Sequence, residues 1–238
     1  MLPQSSAPVS FEKFAYDAIK KAILEFRFKP GDSLVEAELS KQLNISKTPV
    51  RDALTRLERE GLVTKVAYTG TYVSEITVQS VIEIFEIRAV LEGLAARQAT
   101  ANFSPDDLQQ AEKLLILQAD LLARGDLSDA SEVNHQFHSL IVKRSNNQHL
   151  RSMLANLDDH IQRYRVLSKA QRGAQSTSVQ EHRHVLDAIR AGDGDGAEAA
   201  MKTHLRNVLT ELENVDIQAL IAVVTQFAAS DHPQGFSE

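Results

Sequence analysis

A chain of 238 residues with 43% hydrophobic content can bury a core in each of two domains, and a formal net charge of −6 suits a soluble protein. No run of residues is apolar and long enough to read as a membrane span, and the absence of cysteine excludes disulfides and thiolate metal sites. The cytoplasm is therefore the expected compartment.

Residues 1–9 lack a basic leader and an apolar segment, so they read as a flexible tail rather than a signal peptide. From Phe11 to Phe28, the spacing of Phe14, Ala18, Ile19, Ala22, Ile23 and Phe26 predicts a helix, which Lys29-Pro30-Gly31-Asp32 breaks. Leu39 and Leu43 lie on one face of a second helix, and Val50, Leu54 and Leu57 on one face of a third. Asn44 tolerates the left-handed turn between them. Ser46 is expected to cap the third helix through its hydroxyl, Pro49 sits in the first turn, and Gly61 ends it. Two β-rich runs, Leu62 to Val66 and Thr71 to Val73, follow in hairpin order around Gly70.

Three helices and a hairpin make a winged helix-turn-helix over residues 10–74. Lys47, Thr48 and Arg51 stand near the start of its third helix, where side chains in a major groove reach phosphates and base edges. A winged helix used only for protein contacts is the alternative. Charge helps little: residues 10–74 carry 11 Lys and Arg against 9 Asp and Glu. DNA affinity must then come from local placement and from presenting two copies of the head.

The runs Lys29-Pro30-Gly31-Asp32-Ser33-Leu34, Glu38-Leu39-Ser40, Thr48-Pro49-Val50-Arg51-Asp52-Ala53-Leu54 and Leu57 to Val63 resemble the GntR superfamily of bacterial transcription regulators. The resemblance implies DNA contacts by Lys47, Thr48, Arg51 and the wing glycine, Gly70. Ala37 is a departure, since many relatives carry an arginine there.

Past a short linker at residues 75–77, helical periodicity dominates from 78 to about 229, and 230–238 is expected to fray. Thr77 is expected to cap a helix reaching Thr100, and Ser104-Pro105-Asp106-Asp107 starts a second. Gly125-Asp126 precedes a third, and Asn146-Asn147 opens a fourth. A polar stretch from Ser168 to Ser178 leads to a fifth, and Gly192-Asp193-Gly194 to a last one. The fold class is thus mainly α, with an antiparallel bundle of about six helices behind the winged head.

Within the bundle, rotation by about 100° per residue places His138, His182 and His204 toward the core, with Asn134 flanking His138 and with His135 and His184 turned away. Three buried imidazoles and an amide oxygen suit a divalent ion such as Zn, Ni or Mn; separate, individually hydrogen-bonded core histidines are the plainer alternative. Arg88 also falls on the apolar stripe of its helix, either paired with Glu92 one turn on or available to a carboxylate ligand.

Asn134-His135-Gln136-Phe137-His138, Glu181-His182 and His204-Leu205 resemble the FCD-type ligand domain of FadR-subfamily GntR regulators, with Asn134 standing where relatives have Asp. The resemblance implies a homodimer on a palindromic operator, controlled by a small carboxylate effector at a metal site and most simply a repressor. A metal-responsive regulator without an organic effector uses the same residues. A metal-dependent hydrolase is the rival class, but no general base or nucleophile motif stands out.

Overall fold

The computed structural model describes residues 10–169, 178–213 and 219. They fall into two compact units that divide between Ile76 and Thr77.

In the first unit, α1 (Phe11–Leu24), α2 (Glu36–Leu43) and α3 (Lys47–Arg59) precede an antiparallel hairpin of β1 (Val63–Val66) and β2 (Gly70–Val73). Val63 pairs with Val73 and Val66 with Gly70, while Ser33 adds an isolated bridge to Tyr72. The core gathers Tyr16, Ile19 and Ile23 from α1, Leu39 from α2, Val50, Leu54 and Leu57 from α3, and Leu62, Val63 and Val73 from the hairpin. This is a winged helix-turn-helix. The buried face of α1 runs through Ala15, Tyr16, Ile19, Ala22 and Ile23, so Phe14, expected inside, is 47% exposed. Tyr16 displaces it because the aromatic body packs inward while its hydroxyl donates to Glu60 at 2.7 Å.

Asn44 closes α2 at φ 52°, the left-handed turn expected of it, and Ser40 Oγ donates to the Ile45 carbonyl at 2.7 Å across that corner. Gly61 at φ 74° ends α3, where any Cβ would be strained. Ser46 occupies the capping position of α3 in extended conformation, but its side chain makes no capping hydrogen bond, which corrects the expectation.

The second unit holds six helices among the described residues: α4 (Val78–Ala99), α5 (Pro105–Arg124), α6 (Leu127–Arg144), α7 (Gln148–Lys169), α8 (Ser178–Arg190) and α9 (Gly194–Glu213). Thr77 caps α4 by accepting from Ser80 N, and Ser104 with Asp107 forms a full capping box on α5. Asp107 is buried and also accepts from Arg144 Nη2 at 2.7 Å, tying α5 to α6. Glu112 similarly ties α5 to α8 through Arg183 and Arg190. The helix α4 packs against α6, α7, α8 and α9, so it lies at the centre of the bundle. The polar stretch from Ser168 to Ser178 overlaps the end of α7 and the start of α8, with residues 170–177 outside the described residues; so, apart from residue 219, is the last helix beyond Glu213. No described helix is long and apolar enough to cross a membrane.

Candidate functional site

Lys47, Thr48 and Arg51 stand exposed at the start of α3, on the side away from Val50, Leu54 and Leu57. Arg51 is held in place by Glu36, the first residue of α2: Nη2 donates to Oε2 at 2.8 Å and Nε to Oε1 at 3.0 Å. The hydrogen bond from Arg51 holds the Glu36 carboxyl below its usual range. Gly70 opens β2 at φ 147°, a conformation that side chains rarely adopt, and the hairpin tip itself is Ala67-Tyr68-Thr69 with Tyr68 fully exposed.

In the helical unit, α6 supplies His138, α8 His182 and α9 His204, each buried. Their ring nitrogens converge: His182 Nε2 lies 3.1 Å from His138 Nε2 and 3.1 Å from His204 Nε2. Every Nδ1 points outward to an oxygen. That of His138 meets Glu92 Oε2 at 2.5 Å, that of His204 meets Glu181 Oε2 at 2.7 Å, and that of His182 meets Gln118 Oε1 at 3.4 Å.

The tautomers follow from these partners. An ionised carboxylate only accepts, so Glu92 and Glu181 fix protons on the Nδ1 atoms facing them, and the Gln118 oxygen does the same for His182. The three Nε2 lone pairs then lie within 4.8 Å of one another, that of His182 at hydrogen-bonding distance from both others, with no proton between them. Such an arrangement is repulsive unless a cation occupies its centre. Three neutral imidazoles about a tetrahedral ion with bonds of about 2.0–2.1 Å place their nitrogens roughly 3.3 Å apart, close to the spacing here. The donor set therefore fits a divalent metal, with Glu92, Gln118 and Glu181 orienting the rings from outside.

Electrostatics agree. Burial pushes His138 down to about 4 against the pull of Glu92, and burial with two neighbouring imidazoles holds His182 well below its ordinary value. Both rings are neutral near pH 7, as ligands must be. Burial alone would raise Glu92, but the permanent charge of Arg88 and the contact with His138 outweigh it and keep the carboxyl ionised. Glu181 is likewise held below its usual range: hydrogen bonds from His204 and Asn207 overcome burial.

Asn134 is half-buried on α6, and its Oδ1 accepts from Gln118 Nε2 at 3.4 Å. Arg88 is buried on α4 with Nε donating to Glu92 Oε1, which realises the one-turn pairing. It also lines a cavity of about 440 Å³ with Glu92, His135, His138, Ser139, Val142, Lys143, Arg151, Leu154, Ala155, Asp158 and Ile161. His135 lies outside the converging triad, as its rotation on α6 implies, and lines the cavity beside Asp158 of α7. Glu92, Gln118 and Glu181 were missed as partners of the histidines. Glu181 had a local signal, its place beside His182; Gln118 had none.

The residues match two family models: bacterial regulatory proteins of the gntR family over residues 11–73 and the FCD domain over residues 83–207. The chain is 28% identical over 201 residues to an uncharacterized HTH-type transcriptional regulator, YdhC, of Bacillus subtilis, covering 84% of this chain and 90% of the relative. It is 28% identical over 200 residues to the HTH-type transcriptional repressor RspR of Escherichia coli, covering 84% and 88%. Among solved structures it is similar to McbR/YncC of E. coli, with a TM-score of 0.64 and 26% identity over 92% of this chain and 99% of that one. With a winged helix-turn-helix at its front and a helical FCD domain after it, the chain belongs to the GntR family, as a DNA-binding transcriptional regulator.

Proposed function

We propose that this regulator is a repressor whose hold on its operator is controlled by a small organic acid bound beside a divalent metal ion in the helical domain. The observation that carries the reading is the convergence of three buried Nε2 atoms next to a cavity lined by Arg88. His138, His182 and His204 hold the ion, and Asn134 Oδ1 completes the set, giving up only a long hydrogen bond to Gln118. Zn, Ni and Mn are the candidate metals. Such an ion supplies a Lewis-acidic position for a carboxylate oxygen. Arg88 orients the same carboxylate from the cavity wall: its Nε is engaged by Glu92, but its terminal nitrogens make no hydrogen bond among the described residues.

At the other end, Lys47, Thr48 and Arg51 contact the major groove and the wing at Gly70 the flanking backbone. A homodimer places two such heads on a palindromic operator in the cytoplasm. The functional domains are 10–74 and 78–229, joined by 75–77. The chain is read as non-catalytic, in keeping with relatives that are transcriptional regulators.

Elemental analysis of the purified protein, with mass spectrometry of any acid released on denaturation, tests the pocket. Gel shifts at fixed salt test the rest: Arg51→Ala is expected to abolish operator binding with metal content intact, and His182→Ala to lose the metal while retaining DNA binding. Undiminished operator affinity in Arg51→Ala overturns the docking. The existing Arg88–Glu92 pair favours a second reading, a metal sensor with no organic effector. Metal alone, titrated against operator binding, separates the two.

A further inference from the structure

The cavity beside the histidines has two ends of different chemistry. Its inner wall is Arg88, Glu92 and His138, where Arg88 and Glu92 already pair and the neutral His138 ring meets the same carboxylate. Lys143, in the last turn of α6, and Arg151, in the first turn of α7, line the same cavity. Neither side chain has an ion pair or a hydrogen bond among the described residues, whereas Arg144, adjacent to Lys143, is paired with buried Asp107. Asp158, which lines the same cavity, lies 3.8 Å from His135 Nδ1. Val142, Leu154 and Ile161 lie on the same wall and offer hydrocarbon contact.

A ligand with one carboxylate bound at the inner end leaves two positive charges unanswered on the cavity wall. Five residues separate His138 from Lys143 on one helix, about 7.5 Å along its axis. Resting on the effector reading above, we propose that the effector is a short dianion, with a second acidic group held by Lys143 and Arg151. That group is a carboxylate or a phosphate, both of which match a guanidinium fork and an ammonium. The apolar wall packs against the carbons between the two ends.

Isothermal titration of the zinc-reconstituted full chain, at about 0.15 M salt, tests this with matched acids: succinate against butanoate, adipate against hexanoate, and 3-phosphoglycerate against glycerate. The acids with a second anionic group are expected to bind at least about tenfold more tightly than their partners, and the pair with the larger gap identifies the second group as carboxylate or phosphate. In Lys143→Gln/Arg151→Gln the gap is expected to close to within about twofold, with thermal unfolding checking that the variant is folded. Equal binding of mono- and dianions by the natural chain overturns the inference and leaves the effector reading standing. Failure of every acid to bind sinks the effector reading and this inference with it. A preference that survives in the double variant shows that the second group is held elsewhere, which also overturns the assignment.

Discussion

Buried imidazoles that refuse a proton make the helical domain sensitive to acid. His138 takes up a proton only near pH 4 in the folded chain but near 6.5 when unfolded, so the unfolded state gains protons first as pH falls. The stabilisation from the neutral ring is complete above about pH 6.5 and disappears toward 4, a loss on the order of 3 kcal/mol in the metal-free protein. Glu92, depressed rather than raised, adds to the loss below its ordinary range. Denaturant midpoints of the metal-free chain at pH 7, 5.5 and 4 should fall in that order; a flat profile would show that the rings are solvated. On the proposed ligation, Asn134→Asp adds a charge beside the ion and is expected to tighten metal binding by about tenfold, read by competition with a chelator.

Elements hold the site together through packing as much as through polar bonds. Phe137 of α6 is fully buried, with its ring 4.7 Å from that of His182 and edge-on to His138 at 6.0 Å, so it spaces α6 from α8. Phe137→Ala is expected to cost about 3–5 kcal/mol in urea unfolding and to weaken metal retention along with it. The sequence made much of this level legible because the signals are local. Thr77, Ser104 and Gly125 mark helix ends through their own backbone needs, and the inward histidines follow from helical rotation. What could not be read depends on distant partners. Glu92 lies 46 residues from His138 and Gln118 lies 64 from His182, and neither pairing has a spacing rule. Phe14 misled because Tyr16, nearby on α1, found Glu60 across the core.

Across the whole molecule, a net charge of −6 gives duplex DNA no overall attraction, so on the proposed docking affinity comes from local cations of the winged head such as Lys47 and Arg51. Operator affinity should therefore fall linearly with salt on a double-logarithmic plot, and Lys47→Ala should reduce the slope by roughly one for each phosphate contact removed. An unchanged slope would mean that Lys47 lies off the backbone. The clamp of Glu36 on Arg51 adds a consequence for how such a protein searches a genome. On the proposed docking, Arg51 comes to the duplex with its guanidinium already paired in cis, so its contact becomes an ion exchange in which the operator must outcompete an internal carboxylate. Sites that supply only phosphate gain little from that swap, whereas those presenting a well-aligned base edge recover it, so discrimination is favoured over speed of capture.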